Sequence, residues 1–364
     1  MVKSVYIHIP FCNHICHYCD FPKMLYQEKW IDSYLNALDL EMKMYYQNET
    51  IETIYIGGGT PTALKLEEFH RLLEIIDQLK KEEHYEYTIE CNVESLTEEK
   101  IKIMKEYGVN RISIGVETFH AHHLKKINRM HTKEQVMKAI QLLKKYGFKN
   151  INIDLIYALP NETIEEVTSD LEVFLSLDIP HISTYSLIIE PNTTLYLQKQ
   201  EPMQEDLDVE MYEYICKTLK IHGYEHYEIS NFAKPGYEST HNITYWNNEE
   251  YYGFGLGASG YVNNIRYTNT KSLTNYCAGK YQFEQEKLDQ RTSMENEMIL
   301  GLRKRKGVNR NQFLEKYGKT IESVFPIHTL QKEGKLQILG DWISIPEDQI
   351  YLSNDILMQF IDDD

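Results

Sequence analysis

The sequence has no apolar run approaching the roughly 18 residues of a membrane-crossing helix, so no integral membrane segment is expected. It also lacks a basic N-terminal segment followed by an apolar stretch. It opens instead on the strand-like run Val5–Ile9, the pattern of a cytoplasmic chain. Positive charge is scarce: 38 Lys and Arg stand against 55 Asp and Glu, a net charge of −17. So acidic a surface argues against a nucleic-acid partner. Internal repeats and low-complexity linkers are missing too. Cysteine is sparse, six in all, but Cys12, Cys16 and Cys19 fall within eight positions. Disulfide frameworks belong to small secreted chains, so a tight triad in a reducing compartment reads as a metal site. Cys91, Cys216 and Cys277 are scattered and read as small buried hydrophobes.

What is present is a regular alternation. Strand-like runs at Val5–Ile9, Thr53–Ile56, Tyr87–Cys91, Arg111–Val116, Ile151–Ile156 and His181–Ile189 are separated by helical patterns. The helices read as Glu28–Tyr46, Glu67–Lys80, Thr97–Tyr107, Lys133–Tyr146 and Ile164–Leu177, and Gly108 and Gly147 follow two of them as C-caps. Short apolar strands joined through helices predict a parallel sheet with helices outside. The fold class is therefore α/β, and six units over residues 1–230 suit a partial (β/α)6 barrel with its chemistry at the C-terminal strand ends. Residues 231–290, rich in Asn, Tyr and Gly without a clear period, are expected to form an irregular connecting segment. Residues 291–364 predict a smaller C-terminal α+β domain. Its helices lie near Met294–Leu302, Asn311–Tyr317 and Ile321–Glu333, and a hairpin turns at Gly340-Asp341, a winged-helix-like order. The basic run Arg303-Lys304-Arg305-Lys306 reads as a solvated helix end.

The triad has the spacing Cys12-x3-Cys16-x2-Cys19 on a loop after the first strand. A [4Fe-4S] cluster held by four thiolates has one ligand per iron; three thiolates leave one iron open to another molecule. The competing reading is zinc with His14 or His17 as fourth ligand. The second strand ends in Gly57-Gly58-Gly59-Thr60-Pro61. Three glycines let a ligand approach the backbone closely, although a glycine triplet alone is equally an ordinary turn.

Cysteine loop and glycine strand end together resemble the radical S-adenosylmethionine (SAM) superfamily over roughly residues 4–230. The resemblance implies a [4Fe-4S] cluster whose open iron takes SAM, with an electron from the cluster cleaving it. It narrows on Tyr6-Ile7-His8-Ile9-Pro10-Phe11-Cys12, Gly57–Pro61, Arg111–Glu117, Ile127-Asn128-Arg129 and Asn152–Tyr157. These are similar to the oxygen-independent coproporphyrinogen oxidase family and its relatives, and the C-terminal module resembles that family's C-terminal domain. The likeness implies that Tyr6, Gly58 and Glu90 hold the cluster-bound SAM. It implies that Tyr18, Gly59, Thr60, Glu117, Arg129 and Asp154 surround a second SAM. The chemistry fits: carboxylates accept from ribose hydroxyls, and Arg129 can pair with a SAM carboxylate. Glu117 replaces the family's usual Gln, and an ionised Glu only accepts, which weighs against the second SAM.

Two features choose between branches. Coproporphyrinogen dehydrogenases carry a fourth cysteine two positions after the third; here Phe21 stands there. The HemW-type haem chaperones lack it and bear a motif His-Asn-x-x-Tyr-Trp, present as His241-Asn242-Ile243-Thr244-Tyr245-Trp246. The resemblance thus implies a chaperone that binds haem and passes it to an apo-haem acceptor protein. The alternative is the dehydrogenase itself or another radical SAM enzyme. His241 offers an axial imidazole, Tyr245 and Trp246 flat apolar faces, and Asn242 a partner for the histidine or a propionate. Without the resemblance, the motif reads as a core histidine among packed aromatics. The Gly-rich stretch 253–260 resembles a return to the SAM pocket and is otherwise a tight loop. His120, His122 and His123 begin a helix and are expected to be solvated. A homodimer and transient contact with a membrane protein are left open.

Overall fold

The computed structural model describes residues 1–361. Labels below number the strands of the main sheet. Its first six are β1 (Ser4–Ile9), β2 (Ile51–Gly58), β3 (Lys81–Asn92), β4 (Arg111–Glu117), β5 (Asn150–Tyr157) and β6 (His181–Ser186). They pair in parallel in chain order. The connecting helices are α1 (Glu28–Tyr45), α2 (Leu66–Ile76), α3 (Glu98–Glu106), α4 (Ala121–Lys126), α5 (Lys133–Lys145) and α6 (Ile164–Ser176). Their starts are chemically set. Thr132 and Thr163 accept from the N–H three residues on, while Gln135 and Glu166 reach back to the cap N–H, reciprocal capping boxes. Gly108 and Gly147 sit at positive φ directly after α3 and α5, the C-caps expected.

Side-chain parity explains the layers. Ile112, Ile114 and Val116 of β4, and Ile151, Ile153 and Leu155 of β5, join Phe69, Leu73, Ile140, Leu143 and Phe174 of the helices in one buried core. Each fully buried side chain of this kind stabilises by about 1.5–3 kcal/mol. The alternate residues, Ser113, Gly115 and Glu117, then Asn152, Asp154 and Ile156, face the other way and line a cleft. The strands are therefore apolar on the helix side and largely polar inside.

The sheet does not stop at six strands. β7 (Glu225–Glu228) and β8 (Asn231–Ala233) extend the β6 edge antiparallel. β9 (Tyr251–Phe254) pairs in parallel with β1, and β10 (Ser259–Val262), β11 (Ile265–Asn269) and β12 (Gln282–Lys287) continue antiparallel. The order is β12-β11-β10-β9-β1-β2-β3-β4-β5-β6-β8-β7. Residues 231–290 thus carry regular strands rather than the irregular connection expected. The strands are three to six residues long, too short to show a period. The hairpin between β10 and β11 turns on Asn263-Asn264, both at positive φ, the geometry of a type I′ turn. Several helices were also unread: α7 (Glu205–Ile221), α8 (Thr240–Trp246) and the short Thr194–Leu197, Leu273–Cys277 and Ser353–Leu357.

The C-terminal module has its own core around Met298, Phe313, Ile343 and Phe360. Its helices Gln290–Gly301 and Arg310–Tyr317 and its hairpin Gln337–Leu339/Trp342–Ser344 lie where the sequence puts them, and Val308–Asn309 adds a third strand. The single helix expected over Ile321–Glu333 is broken into Ile321–Val324 and Ile327–Lys332, because Pro326 has no N–H to continue it. The basic run is not a free helix end. Lys304 bonds Asn247, the Arg305 N–H donates to the Tyr227 carbonyl (3.0 Å), Arg303 lies over the Trp246 ring and Lys306 over Trp342. It is a seam between module and barrel. Among the described residues no helix is long and apolar enough to cross a membrane.

Candidate functional site

At the C-terminal ends of β1–β6 a cleft of about 470 Å³ is lined by Cys12, Cys16 and Cys19, by Gly58, Gly59 and Thr60, and by Glu90, Glu117, Arg129 and Asp154. The cysteine loop leaves β1 and is tied back at several points. Gly59 N–H donates to the Ile9 carbonyl and Thr60 N–H to the Phe11 carbonyl, both at 2.8 Å. Tyr6 does not line the cleft. Its hydroxyl meets His8 Nδ1 (2.9 Å), and His8 Nε2 meets the Pro22 carbonyl (2.7 Å), so this pair braces the far end of the loop. Gly58 has φ 106°, and a Cβ there would fall 2.3 Å from the His8 ring. That close approach requires glycine.

Two of the three thiols, Cys12 and Cys16, share one hydrogen-bonded frame. Thr60 Oγ1 lies 3.7 Å from Cys12 Sγ; Asn92 Nδ2 donates to Thr60 Oγ1 (3.2 Å); Arg129 Nη1 donates to Asn92 Oδ1 (3.0 Å) and lies 3.7 Å from Cys16 Sγ. Burial pushes the Cys12 thiol up to about 11 and raises Cys16 and Cys19 as well. Uncomplexed, these thiols stay protonated at neutral pH, and a bound metal would displace the protons. All three are free of disulfides. His14 lines the cleft, whereas His17 is tied through Nδ1 to the Lys126 carbonyl (2.9 Å). Cys91 is buried in the cleft wall; Cys216 and Cys277 lie elsewhere.

Two arginines face the strand-end carboxylates. Glu90 accepts from Tyr55 OH (2.8 Å) and from Gly58 N–H (3.0 Å), and removal from water pushes it up to about 7. Asp154 accepts from Asn152 Nδ2 (2.8 Å). Glu117, at φ 68°, accepts from Tyr18 OH (2.8 Å) and pairs with Arg129 Nη2 (2.9 Å). Burial raises Glu117 to about 7 against the pull of Arg129. The Nε–H groups of Arg111 and Arg129 are buried without a partner among the described residues. Buried donors left unpaired are costly, and an acidic or carbonyl-bearing ligand would satisfy them. Asn92, Arg111, Ser113, Asn152 and Ser183 line the cleft too and were not singled out from the sequence. For four of them the signal was available: Asn92 and Asn152 stand two residues from Glu90 and Asp154, and Ser113 and Ser183 stand opposite Glu90 and Asp154 on neighbouring strands; Arg111 carried no such signal.

The His-Asn-x-x-Tyr-Trp motif forms α8, and its side chains go different ways. Glu86 caps the helix, accepting from Thr240 N–H (2.9 Å) and His241 N–H (3.1 Å). His241 is fully buried, with Nδ1 2.8 Å from Thr53 Oγ1, Nε2 2.8 Å from Tyr245 OH, and its ring stacked on Tyr55. Both ring nitrogens are engaged, and burial lowers its pKa to about 3. Trp246 turns towards Arg303 at the module seam. Asn242 alone of the motif lines the cleft. The Gly-rich stretch packs against β1 and the loop: Gly255 lies on the His8 carbonyl and Gly257 on Pro22. The expected solvation of the histidine group holds only for His122; His123 is buried, and both bond Glu166.

Residues 6–174 match the model of the radical SAM superfamily. The haem chaperone HemW of Lactococcus lactis is 44% identical over all of this chain and 98% of its own length. That of Bacillus subtilis is 40% identical over 99% of both chains, and that of Escherichia coli 35% over 76% of both. Among solved structures, coproporphyrinogen III oxidase (HemN) from Escherichia coli, a radical SAM enzyme, superposes with a TM-score of 0.87. It is 21% identical and covers 99% of this chain and 90% of its own, a likeness of fold.

Proposed function

The chain belongs to the radical SAM superfamily and, within it, to the HemW family, and from that premise we propose that it is a cytoplasmic haem chaperone: it binds haem and a [4Fe-4S] cluster with SAM, and passes haem to an apo-haem acceptor protein. The observation that carries the reading is Phe21. It stands largely exposed on the cleft wall, where the related dehydrogenases place a further cysteine.

The donor set fits the cluster. Cys12, Cys16 and Cys19 converge on one cleft, with Arg129 3.7 Å from Cys16 Sγ and Arg111 lining the same cleft near Asp154. When bound, cluster and SAM supply one-electron chemistry. The chain's residues position: Gly58, Gly59 and Thr60 bring main chain within reach of the SAM amino acid end, and Glu90 and Asp154 accept from ribose hydroxyls. Arg129 already has Glu117, Asn92 and the Gly115 carbonyl as partners. With its Nη groups already engaged, Arg129 offers a second SAM carboxylate little, which favours one SAM per chain. Haem enters from the Asn242 side of the cleft; His241 supports the wall from behind.

Anaerobically reconstituted protein tests the reading with two ligands given separately. Haem should produce a saturable Soret band at one haem per chain. Reduced protein with SAM and coproporphyrinogen III should yield no vinyl porphyrin above a no-enzyme control. Repeated turnover would replace the chaperone with the dehydrogenase.

A further inference from the structure

The geometry points to a second metal site, for one divalent transition-metal ion such as Zn²⁺, on His120, His122 and Glu166, separate from the cysteine cleft. One ring nitrogen from each histidine and a carboxylate oxygen of Glu166 lie within 4.8 Å of one another. His120 caps α4 and His122 lies in its first turn; Glu166 is in the first turn of α6, so two helices meet here. His122 Nε2 is already 3.0 Å from Glu166 Oε1. Ligand atoms of a tetrahedral zinc ion, bound at about 2.0–2.1 Å, sit roughly 3.4 Å apart. A small rotation of His122, whose side chain is 64% exposed, closes the set and leaves the fourth position to solvent.

The surroundings are those of a supported site. Glu166 Oε2 meets His123 Nε2 at 3.2 Å, and His120 Nε2 is held by the Glu166 main-chain carbonyl (3.1 Å) and by Asp170 Oδ1 (3.4 Å), one turn along α6, which leaves Nδ1 as its ligand atom. Acidic partners behind ligating histidines fix ring orientation and strengthen the ligands. His122 and His123 share the Glu166 carboxylate while His120 sits against Asp170, and the His122 and His123 ring centroids are 4.0 Å apart. Two carboxylates face three imidazoles, so ion pairing alone does not account for the cluster, whereas neutral imidazoles suit a borderline cation. The site also has a mechanical link to the cysteine loop. At the C-terminal end of α4 the Lys126 and Ile127 carbonyls accept from His17, and Asn128 Nδ2 donates to the Ile15 carbonyl (2.8 Å). An ion clamping α4 to α6 would stiffen the anchor of that loop.

The test uses full-length, cluster-loaded protein freed of any histidine tag, with Zn²⁺ as the probe in anaerobic equilibrium dialysis and metal analysis. One zinc per chain is expected in addition to the iron. His122→Gln and Glu166→Gln should each weaken zinc at least about tenfold with iron content unchanged, and His328→Gln should leave zinc unchanged. Glutamine at 166 preserves the capping box with Thr163, and His122 is exposed, so both variants keep the fold. Zinc far below one per chain in the wild type, or wild-type affinity in both variants, overturns the site.

Discussion

Two regions drew attention for the same reason, chemistry-bearing residues packed closely in sequence, and the fold treats them in opposite ways. In the cysteine cleft, polar groups are gathered but not all paired: three free thiols, two arginines with unpaired Nε–H groups, carboxylates pushed up by burial. In α8 the polar atoms of the motif histidine are paired, to Thr53 and Tyr245. The difference teaches that a motif's residue types do not say whether its groups are poised or already committed. Unpaired buried groups occur elsewhere too, Trp246 Nε1 in α8 among them, but among the described residues only in the cleft do they sit with three free thiols around an open cavity.

The largest effect expected is in the cleft. Changing Cys12, Cys16 or Cys19 to Ser should abolish the brown colour and the bound iron of anaerobically purified protein. Cys91→Ser, Cys216→Ser and Cys277→Ser should leave iron content unchanged. Iron lost in any of these three would show a ligand outside the cleft and weaken the contrast.

On the closed side, His241→Ala should cost roughly 3 kcal/mol, read as a lower urea midpoint. It empties a fully buried site and strands the Thr53 and Tyr245 hydroxyls. A midpoint within error of wild type would mean that α8 is looser than its hydrogen bonds indicate, and that His241 is available to haem after all.

A second closed centre predicts a pH-dependent effect. Glu41 is buried on α1 and accepts from Tyr276 OH, Gly255 N–H and Asn269 Nδ2. Burial outweighs these partners and raises it to about 7 from 4.5. The folded chain then holds a proton that the unfolded chain releases, so stability falls as pH rises from about 4.5 to about 7. The part due to Glu41 is on the order of 3 kcal/mol across this window and should vanish in Glu41→Gln. Parallel stability–pH curves for the two proteins would show that Glu41 does not titrate in this window.

The legibility of the chain divides along a physical line. The six barrel strands and five of their helices were readable because each has a local period, a cap or a glycine stop. The cysteine spacing and the glycine strand end were readable because their chemistry is local. The β7–β12 strands were not, since they are held by pairing to distant strands, although Asn263-Asn264 carried a turn signal. α7 was missed despite Leu207, Met211, Ile215 and Leu219 at intervals of four. The positive φ of Glu117 falls at a register shift between β4 and β5, and the burial of His241 depends on contact with Thr53 on a distant strand, so no short window contains them.

The sharpest test sits on one helix. Asn242 follows His241 directly, yet its side chain lines the cleft while the histidine lies against β2. Asn242→Ala removes no buried packing of consequence, so stability should change by no more than about 0.5 kcal/mol. If this face of α8 meets haem, loss of one hydrogen bond to a propionate should weaken haem roughly tenfold, about 1.4 kcal/mol, with iron content untouched. His241→Ala should show the reverse order: a large loss of stability, and haem binding altered only as far as the wall is disturbed. The two variants therefore separate contact from support, by haem titration followed through the Soret band beside urea unfolding of the same samples. Were Asn242→Ala to bind haem as wild type while folded His241→Ala bound none, the helix must open to ligate iron. The closed arrangement of α8 would then be a resting state, and the comparison between the two regions would become one between two states of one site.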